Sequence, residues 1–343
     1  MLALHENRSS KLFILTAAFS SELYGFHNEP EKFLGFSVNR PFAQTKRADF
    51  VKFDETRTWK MGGKHDMIEA TTAVRPYPAR AKRGFTMQTP YFLRGTLLYS
   101  SSPDTIEVLD DGWLLCRGGR CAGVFRQKPE RFRDLEVLDY TGKLIIPGMT
   151  DLHVHAPQFS FRGLGMDLEL LDWLNTYTFP EESKYEDLSY AERAYESFVS
   201  RLKRSTTTRA CIFATLHLPA TLLLMQKLED AGLDTYVGKV NMNRNCPAYL
   251  REISTNQAIR DTERWVLEAR DRFSRTKPIL TPRFIPSCTD DLMYALSRLR
   301  AKYDLPVQSH LSENFGEIAW VRELCPRSKF YGDAYDQFGM FGG

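Results

Sequence analysis

The stretch PGMTDLHVH at residues 147–155 begins as a turn and continues as a strand that ends in two histidines. Side chains two residues apart on a strand point to the same face of the sheet. The rings of His153 and His155 can therefore direct nitrogen atoms at one point about 2 Å away, the length of a Zn–N bond. We predict that this strand supplies two ligands to a metal ion.

A third histidine, His310, ends a predicted strand at 307–310 and precedes Glu313 by three residues. This spacing keeps the Glu313 carboxylate off the metal but close enough to exchange a proton with a water molecule bound there. Zinc lowers the pKa of such a water to about 7. The strand at 279–284 has no lysine that could bridge two metals. We therefore predict a single ion, Zn²⁺, although three imidazoles also suit Fe²⁺.

Strands and helices alternate after residue 148, which predicts an α/β fold with a parallel sheet. A barrel built of such units places its reactive side chains at the C-terminal ends of the strands, where the three histidines and Arg283 fall. A closed barrel needs eight strands, so we predict an incomplete (β/α)8 TIM-like barrel of about five strands. The predicted strands are 149–154, 210–214, 235–240, 279–284 and 307–310, and the predicted helices between them are 191–203, 220–231, 255–272 and 290–303.

Three regions differ in their hydrophobic patterning. Residues 1–88 show no sustained helical or strand period and predict a poorly ordered extension. Residues 89–147 contain short apolar strands separated by turns, which predict a small antiparallel β-sandwich portion. Residues 148–343 form the predicted partial barrel.

Composition and charge exclude several classes of protein. The chain has 343 residues and a formal net charge of +3, but residues 1–90 hold 14 Lys and Arg against 9 Asp and Glu. The remainder holds 32 against 34, which argues against a basic surface for nucleic acid. No apolar run approaches the roughly 20 residues that a membrane helix needs. The six cysteines form no paired framework, so we predict a cytoplasmic protein.

Beyond the histidines, several stretches resemble the amidohydrolase superfamily and, within it, the guanine deaminases. The resemblance runs from about residue 91 to about residue 337, and residues 1–86 have no match to the family. Because Met87 falls just before the start of the match, we expect the native protein to start there. It implies that His153, His155 and His310 bind zinc and that Glu313 shuttles a proton. It also implies that Gln158, Arg283 and Phe284 hold a purine beside His310 and Glu313. The stretches that carry it are PGMTDLHVHAPQFSF at 147–161, LDWLNTYTFPE at 171–181, FATLH at 213–217 and KPILTPRF at 277–284.

The resemblance implies conversion of guanine to xanthine and ammonia by attack of metal-bound hydroxide, and it implies a homodimer. The family's later segments, which carry a histidine and a metal-binding aspartate, have no counterpart here. We therefore expect a C-terminally truncated chain whose activity is impaired or absent. Two alternatives stay open. One is another aminohydrolase or chlorohydrolase of the superfamily, acting on a purine, pyrimidine or triazine, and the other is a noncatalytic metal-binding fragment.

Overall fold

A computed structural model describes residues 89–341 together with the backbone of four short strands nearer the N-terminus. The chain divides into two compact units. One comprises residues 31–148, and the other comprises residues 149–343 together with residues 1–30. Apart from the short strands, the predicted extension over residues 1–88 lies outside the described residues. The short strands are Ala3–Leu4, Phe13–Thr16, Lys52–Phe53 and Trp59–Lys60.

The unit that ends at residue 148 contains a four-stranded sheet in the spatial order β3-β2-β1-β4. Phe92 and Leu97 of β1 are buried, and so are Leu109 and Leu115 of β2. These four apolar side chains belong to the buried core of the sheet. The strands are β1 Tyr91–Ser102, β2 Thr105–Arg117, β3 Arg120–Phe125 and β4 Val137–Ile145.

This sheet corrects the prediction of a wholly antiparallel sandwich portion. The first three strands pair antiparallel, but β4 pairs parallel to β1. The chain leaves β3 at one edge and returns at the other edge through residues 126–136. Such a crossover brings the last strand in along the direction of the first. Within residues 89–148 the structure describes a single mixed sheet, and a two-layered sandwich is not confirmed.

The second unit carries the predicted parallel strands. Strands β5, β6, β7 and β9 pair in parallel, as do β8 and β10, and a parallel bridge from Leu280 to Val307 continues the order to β11. The short strand Phe13–Thr16 pairs parallel with β11. The strands are β5 Met149–His155, β6 Thr207–Phe213, β7 Asp234–Gly238, β8 Val240–Asn241, β9 Thr276–Pro278, β10 Thr281–Pro282 and β11 Val307–His310.

The helices cover these strands with apolar stripes. In α3, Tyr195, Phe198 and Leu202 are buried at the three- and four-residue spacing of one helix face. Thr289 caps α6 by accepting a hydrogen bond from the Leu292 amide, which satisfies one of the first free N–H groups. The helices are α1 Leu170–Trp173, α2 Phe179–Ser183, α3 Leu188–Lys203, α4 Leu218–Asp230, α5 Thr255–Arg272, α6 Asp290–Tyr303, α7 Phe315–Leu324 and α8 Tyr331–Gln337.

The α/β class and the parallel sheet are confirmed. Every predicted strand of the second unit is present within a few residues of its predicted position, and the four predicted helices are present as α3 to α6. The hydrophobic pattern predicts neither α1 nor α2, nor the π-helical turn Leu174–Thr178 between them. The predicted domain boundaries and the incompleteness of the barrel stay predictions.

One glycine of the parallel sheet has no room for a side chain. A Cβ at Gly238 would lie 1.7 Å from Thr281 Oγ1 and 2.7 Å from Gln308 Nε2. Both neighbours are buried and hydrogen-bonded to each other. We expect Gly238→Ala to lower the free energy of unfolding by about 3 kcal/mol, measured by denaturant melts. Gly332→Ala, which meets only the exposed Phe330 ring, is the control and should cost less than about 1 kcal/mol. Equal losses in the two variants would contradict the steric account.

No helix in the described part of the chain combines the length and the apolar composition needed to cross a lipid bilayer.

Candidate metal centre and substrate pocket

Three histidines from the ends of two strands meet at one point of the parallel sheet. His153 and His155 end β5 and His310 ends β11, and one nitrogen of each ring lies within 4.8 Å of the others. The Nε2 atoms of His155 and His310 are 2.9 Å apart. The side chain of Phe213, which ends β6, stacks on His155 with ring centroids 4.4 Å apart. Strand alternation therefore brings together the three predicted ligands.

Hydrogen bonding and burial keep these rings in the form that binds a metal. His310 Nδ1 lies 2.6 Å from the Arg283 carbonyl oxygen. Because that oxygen can only accept, Nδ1 carries the proton and Nε2 presents a lone pair. Burial lowers the pKa of His153 and of His310 to about 3, and it lowers the pKa of His155 well below its usual range. Neutral imidazole is the ligating species.

The His155–His310 contact itself points to a cation. With its proton on Nδ1, His310 directs a lone pair from Nε2 at His155 Nε2. A proton on His155 Nε2 would relieve the repulsion, but His155 Nδ1 is buried without a hydrogen-bond partner, so neither tautomer satisfies the whole ring. A cation held by these histidines would remove the repulsion between the two Nε2 lone pairs. Three neutral imidazoles are also a ligand set that catalytic zinc accepts.

Glu313 follows the third ligand through a constrained turn. Ser312 adopts a left-handed conformation with φ 56°, which is uncommon for a residue other than glycine. The Glu313 amide donates to Glu317 Oε2 at 2.7 Å, and Glu317 also accepts from Tyr331 Oη at 2.6 Å. These contacts fix the backbone beneath the Glu313 side chain. Burial raises the pKa of the Glu313 carboxyl to about 7, so near neutral pH it can both take up and release a proton.

The histidines form part of the lining of a cavity of about 390 Å³. Its size suits a small heterocycle rather than a polymer. The aromatic and aliphatic side chains of Phe161, Trp173 and Leu174 contribute to its wall. The polar and aromatic residues predicted to hold a substrate line the same cavity, namely Gln158, Arg283, Phe284, His310 and Glu313.

Arg283 is buried and already has a partner in the protein. Its NH1 and NH2 groups donate to the Glu182 carboxylate at 2.6 and 3.2 Å. Gln158 Nε2 donates to the same carboxylate at 3.4 Å. Phe179 lies against the guanidinium, whose central carbon is 5.1 Å from the ring centroid. Two of the predicted substrate residues, Gln158 and Arg283, thus share the Glu182 carboxylate. The sequence-based prediction did not include Glu182.

Two residues of this site were missed from the sequence. Glu182 follows the TFPE stretch that was used for the resemblance, and Phe213 begins the FATLH stretch. The continuous apolar run ACIFA at residues 210–214 is typical of a strand buried on both faces, and this pattern places Phe213 in the interior. The alternation of β5 side chains could then have directed the histidine rings toward it.

Comparisons with known proteins identify the family of this chain. The model of the amidohydrolase family matches residues 144–343. Guanine deaminase from Dictyostelium discoideum is 38% identical over 272 residues, which cover 72% of this chain and 59% of that protein. Human guanine deaminase is 37% identical over 259 residues, which cover 72% and 57% of the two chains. The chain thus spans somewhat under three fifths of the length of these relatives.

Solved structures give the same result. A guanine deaminase from C. acetobutylicum with guanine bound in its active site superposes with a TM-score of 0.72 at 44% identity, over 74% of this chain and 61% of that one. A triazine hydrolase from Arthobacter aurescens superposes with a TM-score of 0.59 at 15% identity, over 73% and 58% of the two chains. The second likeness shows the fold alone. With the family model matching more than half of its residues, this chain belongs to the amidohydrolase family.

Proposed function

We propose that this chain is a metal-dependent aminohydrolase that converts guanine and water to xanthine and ammonia. One observation carries the proposal. The three histidines converge within 4.8 Å of one another at a cavity that Gln158, Arg283 and Glu313 also line. The cavity thus offers a metal site, a proton carrier and polar groups for a flat heterocycle. The similarity to guanine deaminases over more than two thirds of the chain supports guanine as the substrate.

The residues divide the reaction among them. A zinc ion held by His153, His155 and His310 would supply Lewis-acid activation of water at neutral pH. Glu313 takes a proton from the attacking water as the C–O bond forms at the amino-bearing ring carbon. Glu313 then returns that proton to the amino nitrogen, so the C–N bond breaks with ammonia as the leaving group. A carboxyl with a pKa near 7 suits both transfers.

Gln158, Arg283 and Phe284 orient the purine. A guanidinium donates to a ring nitrogen or carbonyl, and an amide both donates and accepts. Phe284, which is 4% exposed, offers an apolar surface to the flat ring. Holding the reacting carbon in place lowers the entropic part of the barrier. We propose Zn²⁺ as the metal, with Fe²⁺ the other ion that suits three imidazoles.

A substrate panel separates guanine deamination from its relatives within the superfamily. Purified, zinc-loaded chain is incubated with guanine, adenine, cytosine and a chlorotriazine, and ammonia and chloride release are measured. We expect ammonia from guanine at a rate at least tenfold above the other substrates, since one buried polar mismatch costs about 1–3 kcal/mol. Chloride release would instead indicate a chlorohydrolase. Faster deamination of adenine or cytosine would indicate that base as the substrate. Zinc binding with no turnover of any substrate would support the alternative that the chain is a noncatalytic metal-binding fragment.

Metal binding gives a prediction that does not depend on turnover. We expect the chain to bind one zinc ion and its melting temperature to rise with zinc, because a ligand at a hundred times its Kd adds about 2.7 kcal/mol to stability. His153→Ala should abolish the rise. His217→Ala, which changes a histidine outside the cluster, should retain it. Metal analysis and thermal melts with and without chelator test this, and an equal rise in both variants would contradict the assigned site.

The family resemblance also supports two statements about the whole protein. One is a homodimer, which sedimentation of the purified chain would test, and the other is the substrate class given above. Separately, we propose a cytoplasmic location from the six cysteines, which form no paired framework in the sequence. Neither nucleic acid nor a membrane is proposed as a partner.

A further inference from the structure

We propose that Glu182 is a positioning residue that sets the pattern of hydrogen-bond donors and acceptors in the substrate pocket. The inference rests on the proposed function, because it assigns how Arg283 and Gln158 are presented to the purine. Glu182 itself stands behind these two side chains and does not line the cavity. It acts on the substrate only through them.

The first step of the argument is the ion pair. The Glu182 and Arg283 side chains are 1% and 3% exposed, and both carboxylate oxygens accept from the guanidinium. A two-point contact between planar groups fixes distance and rotation together. Without the carboxylate, a buried guanidinium would have to turn toward other acceptors or toward water. Glu182 therefore determines which of the remaining Arg283 N–H groups face the cavity.

The second step concerns the Gln158 amide. An ionised carboxylate only accepts hydrogen bonds, so the group of Gln158 that approaches Glu182 must be its NH2, as the Nε2–Oε1 distance of 3.4 Å records. That orientation leaves the amide oxygen for the cavity. The pocket therefore presents an acceptor at Gln158 and donors at Arg283. A ligand edge with an N–H beside a carbonyl or ring nitrogen, such as a guanine edge, complements this pattern.

The neighbouring acid provides a contrast. Glu181 accepts from Ser160 Oγ and from Tyr190 Oη and pairs with Lys184 at 2.7 Å. It is 7% exposed, so it is buried almost as fully as Glu182, but its hydrogen-bond partners lie outside the cavity lining. The two carboxylates stand side by side on α2 and differ in which partners they hold. Glu181→Gln is therefore a matched control for Glu182→Gln.

The test compares steady-state kinetics of guanine deamination in the parent, Glu182→Gln and Glu181→Gln, each loaded with zinc. We expect KM to rise about ten- to hundredfold in Glu182→Gln, the size of one lost charge-assisted hydrogen bond, with a smaller change in kcat. Glu182→Asp, which keeps the charge, should recover part of the loss. Glu181→Gln should lower the melting temperature without moving KM by more than about twofold. A KM within twofold of the parent in Glu182→Gln, or equal rises in both Gln variants, would overturn the proposal.

A second measurement separates this proposal from the proposed function. Crystal structures of the parent and Glu182→Gln show whether the Arg283 guanidinium and the Gln158 amide move. We expect displacement or rotation beyond about 0.5 Å, the tolerance of a working site. If the parent fails to deaminate guanine, the proposed function is wrong, and the structures alone decide the positioning role. Unmoved side chains in Glu182→Gln would then overturn it.

Discussion

Glu313→Gln is expected to lower the rate of guanine deamination by about 10²–10⁴-fold, the usual contribution of a general acid–base residue. The amide keeps the size of the side chain but neither accepts a proton from water nor delivers one to the leaving amine. KM should change by less than about tenfold, because the predicted purine contacts at Gln158, Arg283 and Phe284 stay in place and an amide at position 313 can still hydrogen-bond to the ring. Zinc stoichiometry should remain at one, since the carboxylate is not among the clustered ligands. Stopped-time ammonia assays and metal analysis measure both quantities.

The control for this variant lies on the following helix. Glu323 is exposed on α7, and Glu323→Gln removes the same charge from a solvated position. It should retain full activity. A Glu313→Gln protein that keeps more than about a tenth of the parent rate would show that another group carries the proton, and the assignment of Glu313 would be lost.

Arg283→Met is expected to reduce both stability and substrate binding. The change leaves the Glu182 carboxylate, which is 1% exposed, buried without its cation. Removing one partner of a buried ion pair typically costs about 3–5 kcal/mol. The same change removes the cationic donor from the cavity, so KM for guanine should rise at least about a hundredfold. Denaturant melts and steady-state kinetics measure the two effects.

A double variant separates the two effects of Arg283→Met. Combining it with Glu182→Gln removes the orphaned charge, so about half of the lost stability should return. Substrate affinity should not return, because the donor is still missing. Stability that falls by the same amount in the single and double variants would contradict the buried-charge explanation. Recovery of KM in the double variant would contradict a direct role of Arg283 in binding.

Much of the metal site could be predicted from the sequence because it depends on strand alternation. A two-residue repeat places His153 and His155 on one face wherever that segment is a strand. Parallel strands end on the same side of a sheet, which brings His310 to them. Neither inference needs a side-chain contact. The roles of the individual residues in catalysis stay predictions until the variants are made.

The support for Arg283 could not be predicted, because it depends on helix phase. Residues 170–183 form two short helices joined by the π-helical turn Leu174–Thr178. A π-helical turn contains more residues than an α-helical turn and shifts the following side chains around the axis. The sequence gives no means to decide which of Glu181 and Glu182 faces the pocket. Only the packing of α2 against neighbouring segments decides it.

The pairing direction of the last strand in the first sheet could not be predicted from the sequence either. Local apolar runs predict that residues 89–147 contain short strands, but pairing direction depends on where the chain re-enters the sheet. The connection over residues 126–136 crosses to the far edge, and β4 then runs parallel to β1. Composition and alternation are the same for a strand that enters from either end. Long-range pairing of this kind is settled by packing rather than by local pattern.

The most direct test of the account is ammonia release from guanine by the purified chain, measured with one equivalent of zinc and again after chelation. We expect equal amounts of ammonia and xanthine from the zinc-loaded protein and none from the chelated protein, with activity restored when zinc is returned. Zinc bound at one equivalent without any ammonia release, while the protein remains folded by a cooperative melt, would contradict guanine deamination by this chain.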